Sequence, residues 1–260
     1  MHTGAVAMID ALGFKGIWRR PDLDRDPERI LQKMQRLKKK TLEDIDGDPF
    51  LSSLLEQGVF SEKPMVRFLS DTIFAGVVLP TIDHGEEVHR QGYALYSLIG
   101  RMSKVLEEAA VENPTLAYRG CITLGSFMSD DVFILGEGVD EASSMMDQAE
   151  GAFVWLSPRA KVAWERFGSK AAHLVPSWKE WEASAGLVPY SVPLKNGGHF
   201  RTYAVSPFAK AIDGNRRRDI IRWIKESFDS EALAVQVKKQ NTMEFLNEAS
   251  KHRVAELPTP

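Results

Sequence analysis

Cysteine is almost absent from this chain, because Cys121 is the only one among 260 residues. A single thiol forms neither an intrachain disulfide nor a cysteine metal cluster, and this usage is typical of proteins that stay in a reducing compartment. The first apolar segment, GAVAMI at residues 4–9, has no basic residues ahead of it and does not look like a signal peptide. We therefore expect a cytoplasmic protein.

Long apolar runs and an excess of positive charge are lacking as well. The longest apolar stretch, residues 73–80, is far shorter than the roughly 20 residues that span a bilayer, so we expect no membrane segment. The chain has 33 Lys and Arg against 36 Asp and Glu, a net charge of −3. This balance argues against a dedicated nucleic-acid-binding protein, because no cationic excess is available to neutralise phosphates.

The apolar residues that are present recur at strand spacing in some segments and at helix spacing in others. Strands are predicted at residues 4–9, 65–69, 73–79, 116–127, 132–135, 153–156, 188–194 and 200–205. Helices are predicted at 27–57 with a break at Gly47-Asp48-Pro49, and at 86–110, 136–150, 158–167 and 215–253. Because helices alternate with antiparallel hairpins, the pattern favours an α+β fold with a mainly antiparallel sheet flanked by helices. We divide it into a domain at 1–206 and a C-terminal helical extension at 207–260.

Two aspartates stand out by position. Asp10 ends the first predicted strand, and Asp71 lies at the tip of the hairpin between the second and third. A strand end and a hairpin tip often meet at one edge of a sheet, and two carboxylates there make a site for divalent ions that also bind phosphates. The alternative is that each aspartate only caps a turn, which is the common role at such places.

Four segments around these aspartates resemble the class III nucleotidyl cyclases, the family of adenylate and guanylate cyclases. Residues 7–14 (AMIDALGF) resemble the first strand of that family with its aspartate, and residues 67–71 (RFLSD) its hairpin, with Ser70 in place of a glycine. Residues 119–125 (RGCITLG) and 136–142 (GEGVDEA) resemble a later strand and helix start, and Lys195 with residues 200–203 (FRTY) the last hairpin. The resemblance covers about residues 5–205. It implies a ferredoxin-like palm as the core of the 1–206 catalytic domain.

The resemblance also implies a mechanism. Asp10, Asp71 and the backbone carbonyl of Ala11 would hold two Mn²⁺ or Mg²⁺ ions, one acting on the ribose 3′-hydroxyl of a nucleoside triphosphate and one on its phosphates. The 3′-oxygen would attack the α-phosphorus, and pyrophosphate would leave. In this family two domains pair head to tail, so a single-domain chain would be a homodimer with two equivalent sites at its interface.

Several positions depart from the family pattern. The resemblance implies Asp140 as a catalytic residue, although it stands where an asparagine is usual, and Ser144 stands where an arginine usually stabilises the transition state. The resemblance assigns Lys195 to the phosphates, although an exposed strand-end lysine is an equal alternative. Arg119 and Arg201 are candidates to replace the missing arginine, but Arg119 also fits a strand-end ion pair.

The positions that contact the nucleotide base in that family also differ from the family pattern. Arg67 stands where adenylate cyclases have lysine and guanylate cyclases have glutamate, and Phe133 stands where both have a small polar residue. This combination resembles the pyrimidine cyclases of bacterial anti-phage (Pycsar) systems, and it implies Phe14, Arg67, Phe133 and Arg119 as substrate-binding residues. The expected reaction is UTP to cyclic UMP, which would act on a separate effector. The alternative functions are a cytidylate cyclase, an adenylate or guanylate cyclase, and a non-catalytic nucleotide-binding domain. Without the family context, we would expect Arg67 to pair with a surface carboxylate and Phe133 to belong to the hydrophobic core.

Overall fold

The structure is a computed structural model, and it describes residues 1–14, 28–80, 87–111, 113–130, 133–174, 186–208, 213–228 and 230–251. Within these residues the chain forms eight strands and seven helices. The predicted helix starts at Pro27 and Glu86, the predicted strand start at Val132 and the predicted helix end at Arg253 lie outside the described residues.

The strands form one sheet that confirms the predicted α+β class. They are β1 (His2–Ala11), β2 (Met65–Leu69), β3 (Thr72–Leu79), β4 (Tyr118–Ser129), β5 (Ile134–Leu135), β6 (Val154–Leu156), β7 (Leu187–Pro193) and β8 (His199–Val205). The order is β2-β3-β1-β4-β6-β8-β7, with β5 paired to β4. All pairs are antiparallel except β4 with β6. The arrangement β2-β3-β1-β4, with α-helical connections after β1 and β3, is that of the predicted ferredoxin-like palm.

The helices follow the predicted order with two differences. They are α1 (Glu28–Asp46), α2 (Pro49–Glu56), α3 (Glu87–Ala110), α4 (Glu137–Gln148), α5 (Pro158–Leu174), α6 (Gly214–Ser227) and α7 (Leu233–Lys251). The predicted break at residues 47–49 is confirmed, because Asp48 caps α2 by accepting bonds from Phe50 N and Leu51 N. The C-terminal segment predicted as one helix is two, α6 and α7, and α5 continues seven residues past the predicted end at Phe167.

Alternation along β1 sends its side chains to two different layers. Ala5, Ala7 and Ile9 are buried against α1, α3 and α5, whereas Val6 on the opposite face packs against α4. Because successive strand residues alternate between faces, Asp10 lies on the α4 face, at the end of the strand.

The C-terminal helices cover another part of the α4 face. Phe245 and Leu246 of α7 are buried in one apolar cluster with Phe153 and Trp155 of the sheet region. The described helices of the extension predicted at 207–260 are thus packed on the sheet. Among the described residues, none of the helices has the length and apolar composition needed to cross a membrane.

Candidate active site

The end of β1 places Asp10 between two neighbouring strands. Asp10 is the register partner of Thr72 on β3 and of Arg119 on β4. The Thr72 hydroxyl donates to Asp10 Oδ1 at 3.2 Å, and Arg119 Nη2 lies 3.5 Å from Asp10 Oδ2. The carboxylate is therefore oriented from both sides, while its side chain keeps 22% of its surface exposed for a ligand.

The tip of the β2–β3 hairpin brings Asp71 to the same end of the sheet. Leu69 pairs with Thr72, so the turn consists of Ser70 and Asp71, and Ser70 has a φ of 59°. This left-handed conformation favours glycine, which explains why the related pattern has glycine where this chain has Ser70. The Ala11 amide donates to the carbonyl of Asp71 at 3.2 Å and so ties the hairpin tip to the end of β1.

The two carboxylates lie within electrostatic reach of each other. Burial, and then the charge of Asp71, raise the pKa of Asp10 above its ordinary value, against the opposing effects of Arg119 and Thr72. The pKa of the buried Tyr118 hydroxyl is also raised, first by burial and then by Asp71 and Asp10. The negative charge at this end of the sheet is thus only partly compensated by the protein.

A divalent cation fits this donor set. Two carboxylates, backbone carbonyls and water are the hard oxygen ligands that Mg²⁺ and Mn²⁺ accept, and the uncompensated charge favours a cation. In the described parts of the chain, no group of three or more His, Cys, Asp and Glu side chains is arranged to hold a metal ion. A cation here therefore depends on Asp10 and Asp71, with backbone oxygens and water, or the substrate, completing its shell.

The raised pKa of Asp10 leads to a prediction about stability. Because folding raises this pKa, the ionised carboxylate disfavours the folded state, and stability falls as pH rises from the ordinary aspartate pKa through the folded-state pKa of Asp10. Asp10→Asn should therefore melt at a higher temperature than the wild type at pH 7 in EDTA, with the difference shrinking as pH falls through that window. Thermal unfolding over a pH series measures this.

The control for this experiment is Asp46→Asn, because Asp46 forms an exposed ion pair with Lys63 at 2.8 Å and its loss should change little. A turn-capping aspartate gives the opposite result, since loss of a cap destabilises. An Asp10→Asn protein that melts below the wild type at pH 7 would thus contradict the cation site and favour the capping role.

Arg119 forms the ion pair that the sequence left as an alternative. Its Nη2 atom lies 2.9 Å from Asp147 Oδ1, near the end of α4, in addition to its contact with Asp10. The Nε atom is buried and has no hydrogen-bond partner among the described residues. Arg119 thus joins α4 to the end of β1 and places a positive charge against the Asp10 carboxylate.

Arg67 and Phe133 are brought together, at a distance from the carboxylates. Arg67 Nε donates to the carbonyl of Asp130 at 3.2 Å, and the Asp130 carboxylate accepts from the Phe133 amide at 2.6 Å. Phe133 is 66% exposed, so the alternative that it belongs to the core is wrong. In the strand register Arg67 lies opposite Phe74, and Phe74 lies opposite Met8. Arg67 is therefore on the same face of the sheet as Asp10, but two strands, or about 10 Å, to the side.

The other predicted residues occupy four different places. Asp140 and Ser144 are exposed on α4, and Asp140 precedes Asp147 by about 10 Å along the helix axis. The Lys195 amide donates to the carbonyl of Gln148 at 2.9 Å, which holds this exposed lysine at the C-terminal end of α4. Phe14 packs, partly buried, against the core formed with α1, α3 and α5. Arg201 is exposed on β8.

Two residues near Arg119 escaped the sequence analysis. Asp147 lies on the exposed side of α4, two helical turns after Asp140. This helical spacing already indicated that the two aspartates share one face of the helix. Burial, and then the charges of Arg119 and Lys195, lower the pKa of Lys238 on α7. Nothing in the local sequence around Lys238 indicates this, because the docking of α7 onto the sheet decides it.

Comparison with known proteins returned structural likenesses only. No protein-family model and no curated protein matches the chain. Among solved structures, the catalytic core of a rhodopsin-guanylyl cyclase with converted specificity, in complex with ATPαS, is 13% identical over 79% of this chain and 95% of that one, with a TM-score of 0.42.

Two further cyclase structures are similar to a comparable extent. The guanylyl cyclase Cya2 is 12% identical over 78% of this chain and 92% of its own, with a TM-score of 0.39. An adenylate/guanylate cyclase/hydrolase from Silicibacter pomeroyi is 15% identical over 79% of this chain and 97% of its own, with a TM-score of 0.32. Likenesses of this size leave the function to be inferred from the residues of the site.

Proposed function

We propose that this protein is a nucleotidyl cyclase that converts a nucleoside triphosphate to its 3′,5′-cyclic monophosphate and pyrophosphate. The observation that carries the proposal is the pair of carboxylates, Asp10 and Asp71, held at one end of the sheet by the bond from Ala11 N to Asp71 O. The pair is only partly compensated by Arg119. Two carboxylates beside one arginine form a site for a cation and a phosphate together.

The chain's own residues would divide the work of the reaction. Asp10, Asp71 and the Ala11 carbonyl would hold Mn²⁺ or Mg²⁺, two per site. Bound there, the cation supplies Lewis-acid chemistry that favours ionisation of the 3′-hydroxyl and offsets the charge of the phosphates. Arg119 and Lys195 would bind the phosphate oxygens and so align the α-phosphorus for in-line attack by the 3′-oxygen. As the bond to pyrophosphate breaks, Arg119 and Lys195 would stabilise the negative charge that builds up on the leaving pyrophosphate.

The electrostatics of the site also weigh against a non-catalytic domain. Ser144 is the best support for that alternative, because serine supplies no charge to a transition state. However, the raised pKa of Asp10 shows that its carboxylate is held there against a cost in free energy. A domain that only binds a nucleotide has no need of two metal-binding carboxylates held at that cost, whereas the metal-dependent reaction of a cyclase needs them.

The distribution of exposed residues supports a homodimer in which each site uses both chains. Arg67 lies two strands to the side of Asp10 and bonds to the β4–β5 connection that carries Phe133, and Asp140 and Ser144 face outward on α4. The β4–β5 hairpin exposes three apolar side chains, Met128, Phe133 and Leu135, of which Met128 and Leu135 are register partners. Such a group of apolar side chains marks a surface that another chain covers. A second copy would bring Arg67 and Phe133 to the carboxylates of its partner.

The substrate that best fits Arg67 and Phe133 is UTP. A guanidinium is purely a donor, and uracil presents two carbonyl acceptors, whereas cytosine presents an exocyclic amine that the guanidinium would repel. Phe133 is an exposed bulky side chain on the hairpin that holds Arg67, and it would fill the space that a purine's second ring needs. A mismatched set of donors and acceptors costs a few kcal/mol, enough for about a hundredfold preference.

Incubation of the purified protein with each of the four labelled triphosphates and Mn²⁺ tests this function. We expect cyclic UMP as the main product, cyclic CMP second, and little cyclic AMP or cyclic GMP. Phe133→Ala should raise turnover of ATP relative to UTP by at least about tenfold, because it opens space for the larger base. Leu135→Ala is the matched control, since it truncates another exposed apolar residue of the same hairpin.

The outcomes separate the alternatives. Faster production of cyclic AMP or cyclic GMP than of either pyrimidine product would contradict the assignment of Arg67 and Phe133 but keep the cyclase. Absence of any cyclic product under these conditions would favour the non-catalytic domain. A cyclic pyrimidine nucleotide would be a signal for a separate effector, as in the anti-phage systems that the sequence resembles.

A further inference from the structure

Three cationic residues from distant parts of the chain are held around the C-terminal end of α4. Arg119 comes from β4, Lys195 from the β7–β8 hairpin, and Lys238 from the C-terminal helix α7. Arg119 contacts Asp10 directly. Arg119 also pairs with Asp147, and the Lys195 amide donates to the carbonyl of Gln148, both at the end of α4. Lys238 is on the helix that bonds to residues 150 and 152, just after α4, and the charges of Arg119 and Lys195 act on it. We call these three residues the cation cluster.

The position of Lys238 is set by specific bonds between α7 and the segment after α4. Asn241 Nδ2 donates to the carbonyl of Glu150 at 2.6 Å, and the Ala152 amide donates to Thr242 Oγ1 at 2.8 Å. Thr242 is fully buried, and Phe245, one turn further on, is part of the core. Lys238 lies one turn before Thr242, so this attachment holds it near the C-terminal end of α4, where Arg119 pairs with Asp147.

The charge of the cation cluster is only partly neutralised by the protein. Arg119 pairs with Asp10 and Asp147, whereas Lys195 and Lys238 form no ion pair within the part of the chain that the structure describes. Burial, and then the charges of Arg119 and Lys195, lower the pKa of the Lys238 ammonium, with Glu150 opposing them. Cations held this close repel one another, and a polyvalent anion among them relieves the repulsion.

We propose that Lys238 is a substrate-binding residue that, with Arg119 and Lys195, binds the phosphate chain of the nucleoside triphosphate. The inference rests on the proposed cyclase function and extends it to the C-terminal helix, which lies outside the segments that resemble the cyclase family. The ammonium is a point charge on a flexible stem, suited to the oxygens of a polyphosphate. The α7 helix thereby becomes part of the active site instead of a structural appendage.

Binding of inorganic tripolyphosphate in the presence of Mn²⁺, measured by calorimetry on the full chain, tests the anion site without any turnover. Loss of one charged hydrogen bond in Lys238→Ala should weaken binding roughly ten- to a hundredfold. Lys238→Arg, which keeps the charge, should restore most of the affinity. Lys251→Ala is the matched control, because Lys251 is on the same helix and pairs with Glu248, about 20 Å from Lys238.

Kinetics of the same variants complete the test. Lys238→Ala should raise KM for the triphosphate and weaken inhibition by pyrophosphate, with a melting temperature close to that of the wild type; Lys238→Met serves if the alanine variant unfolds. Wild-type affinity for tripolyphosphate in Lys238→Ala would overturn the proposal. Binding that depends on Lys238 in a protein that forms no cyclic nucleotide would instead overturn the cyclase function and keep the anion site.

Discussion

Asp10→Asn and Asp71→Asn will each lower the rate of cyclic nucleotide formation at least about a hundredfold while the protein remains folded. Each substitution removes one carboxylate of the two-carboxylate pair on which a divalent cation depends, so the positive charge needed for ionisation of the 3′-hydroxyl is lost. The fold should survive, because Asp71 lies in a turn and the Asp71 atom that accepts from Ala11 is a backbone oxygen. Product separation after incubation with the triphosphate and Mn²⁺ measures the effect.

Two further measurements show that the loss is specific. Asp46→Asn removes a distant exposed carboxylate and should keep full activity. Mn²⁺ should raise the melting temperature of the wild type but not of Asp10→Asn, since only a protein that binds the ion is stabilised by it. Retention of more than a few per cent of activity in either active-site variant would rule out the proposed cation site, and unfolding of both would show a structural role.

Mixing two inactive variants, Asp71→Ala and Arg67→Ala, should restore activity. In a head-to-tail homodimer, the site formed by the carboxylates of one chain and the base contacts of the other is intact at one of the two positions of a mixed dimer. Random exchange makes half of the dimers mixed, so about one quarter of the wild-type activity is expected. The measurement is cyclic nucleotide formation after subunit exchange. Fluorescence transfer between labelled chains shows that the exchange has taken place.

The control is a mixture of two variants that each lack one carboxylate of the Asp10–Asp71 pair. Asp10→Ala mixed with Asp71→Ala should remain inactive, because each chain then lacks a carboxylate of its own pair and neither site is complete. If exchange is confirmed and the Asp71→Ala and Arg67→Ala mixture also remains inactive, each site is built within one chain. Arg67 would then have to be reassigned to a role in holding the β4–β5 hairpin through Asp130.

The outline of the fold and the pair of carboxylates were accessible from the sequence because the signals are local. Apolar residues at alternate positions indicated β1, and its end at Asp10 followed from the change to polar residues. The turn at Ser70-Asp71 followed from two apolar segments with polar residues between them. A strand end and a hairpin tip at one sheet edge then suggested that Asp10 and Asp71 meet, and the bond from Ala11 N to Asp71 O places them together.

The tertiary structure decided which other residues reach that end of the sheet. Arg119 contacts Asp147 because α4 crosses the face of β1 and ends beside it. Phe133 is exposed and not core, because it lies in the connection between β4 and β5.

Lys238 shows most clearly where the sequence alone no longer determines the site. The spacing of apolar residues predicted that its segment is helical, since periodicity depends only on neighbours in the chain. Its place beside Arg119 and Lys195 depends on the bonds of Asn241 and Thr242 to residues about 90 positions earlier. The sequence thus determined the class of fold and the two carboxylates, whereas the packing of α4 and α7 onto the sheet decided the charges around them, because contacts across such separations leave no local pattern.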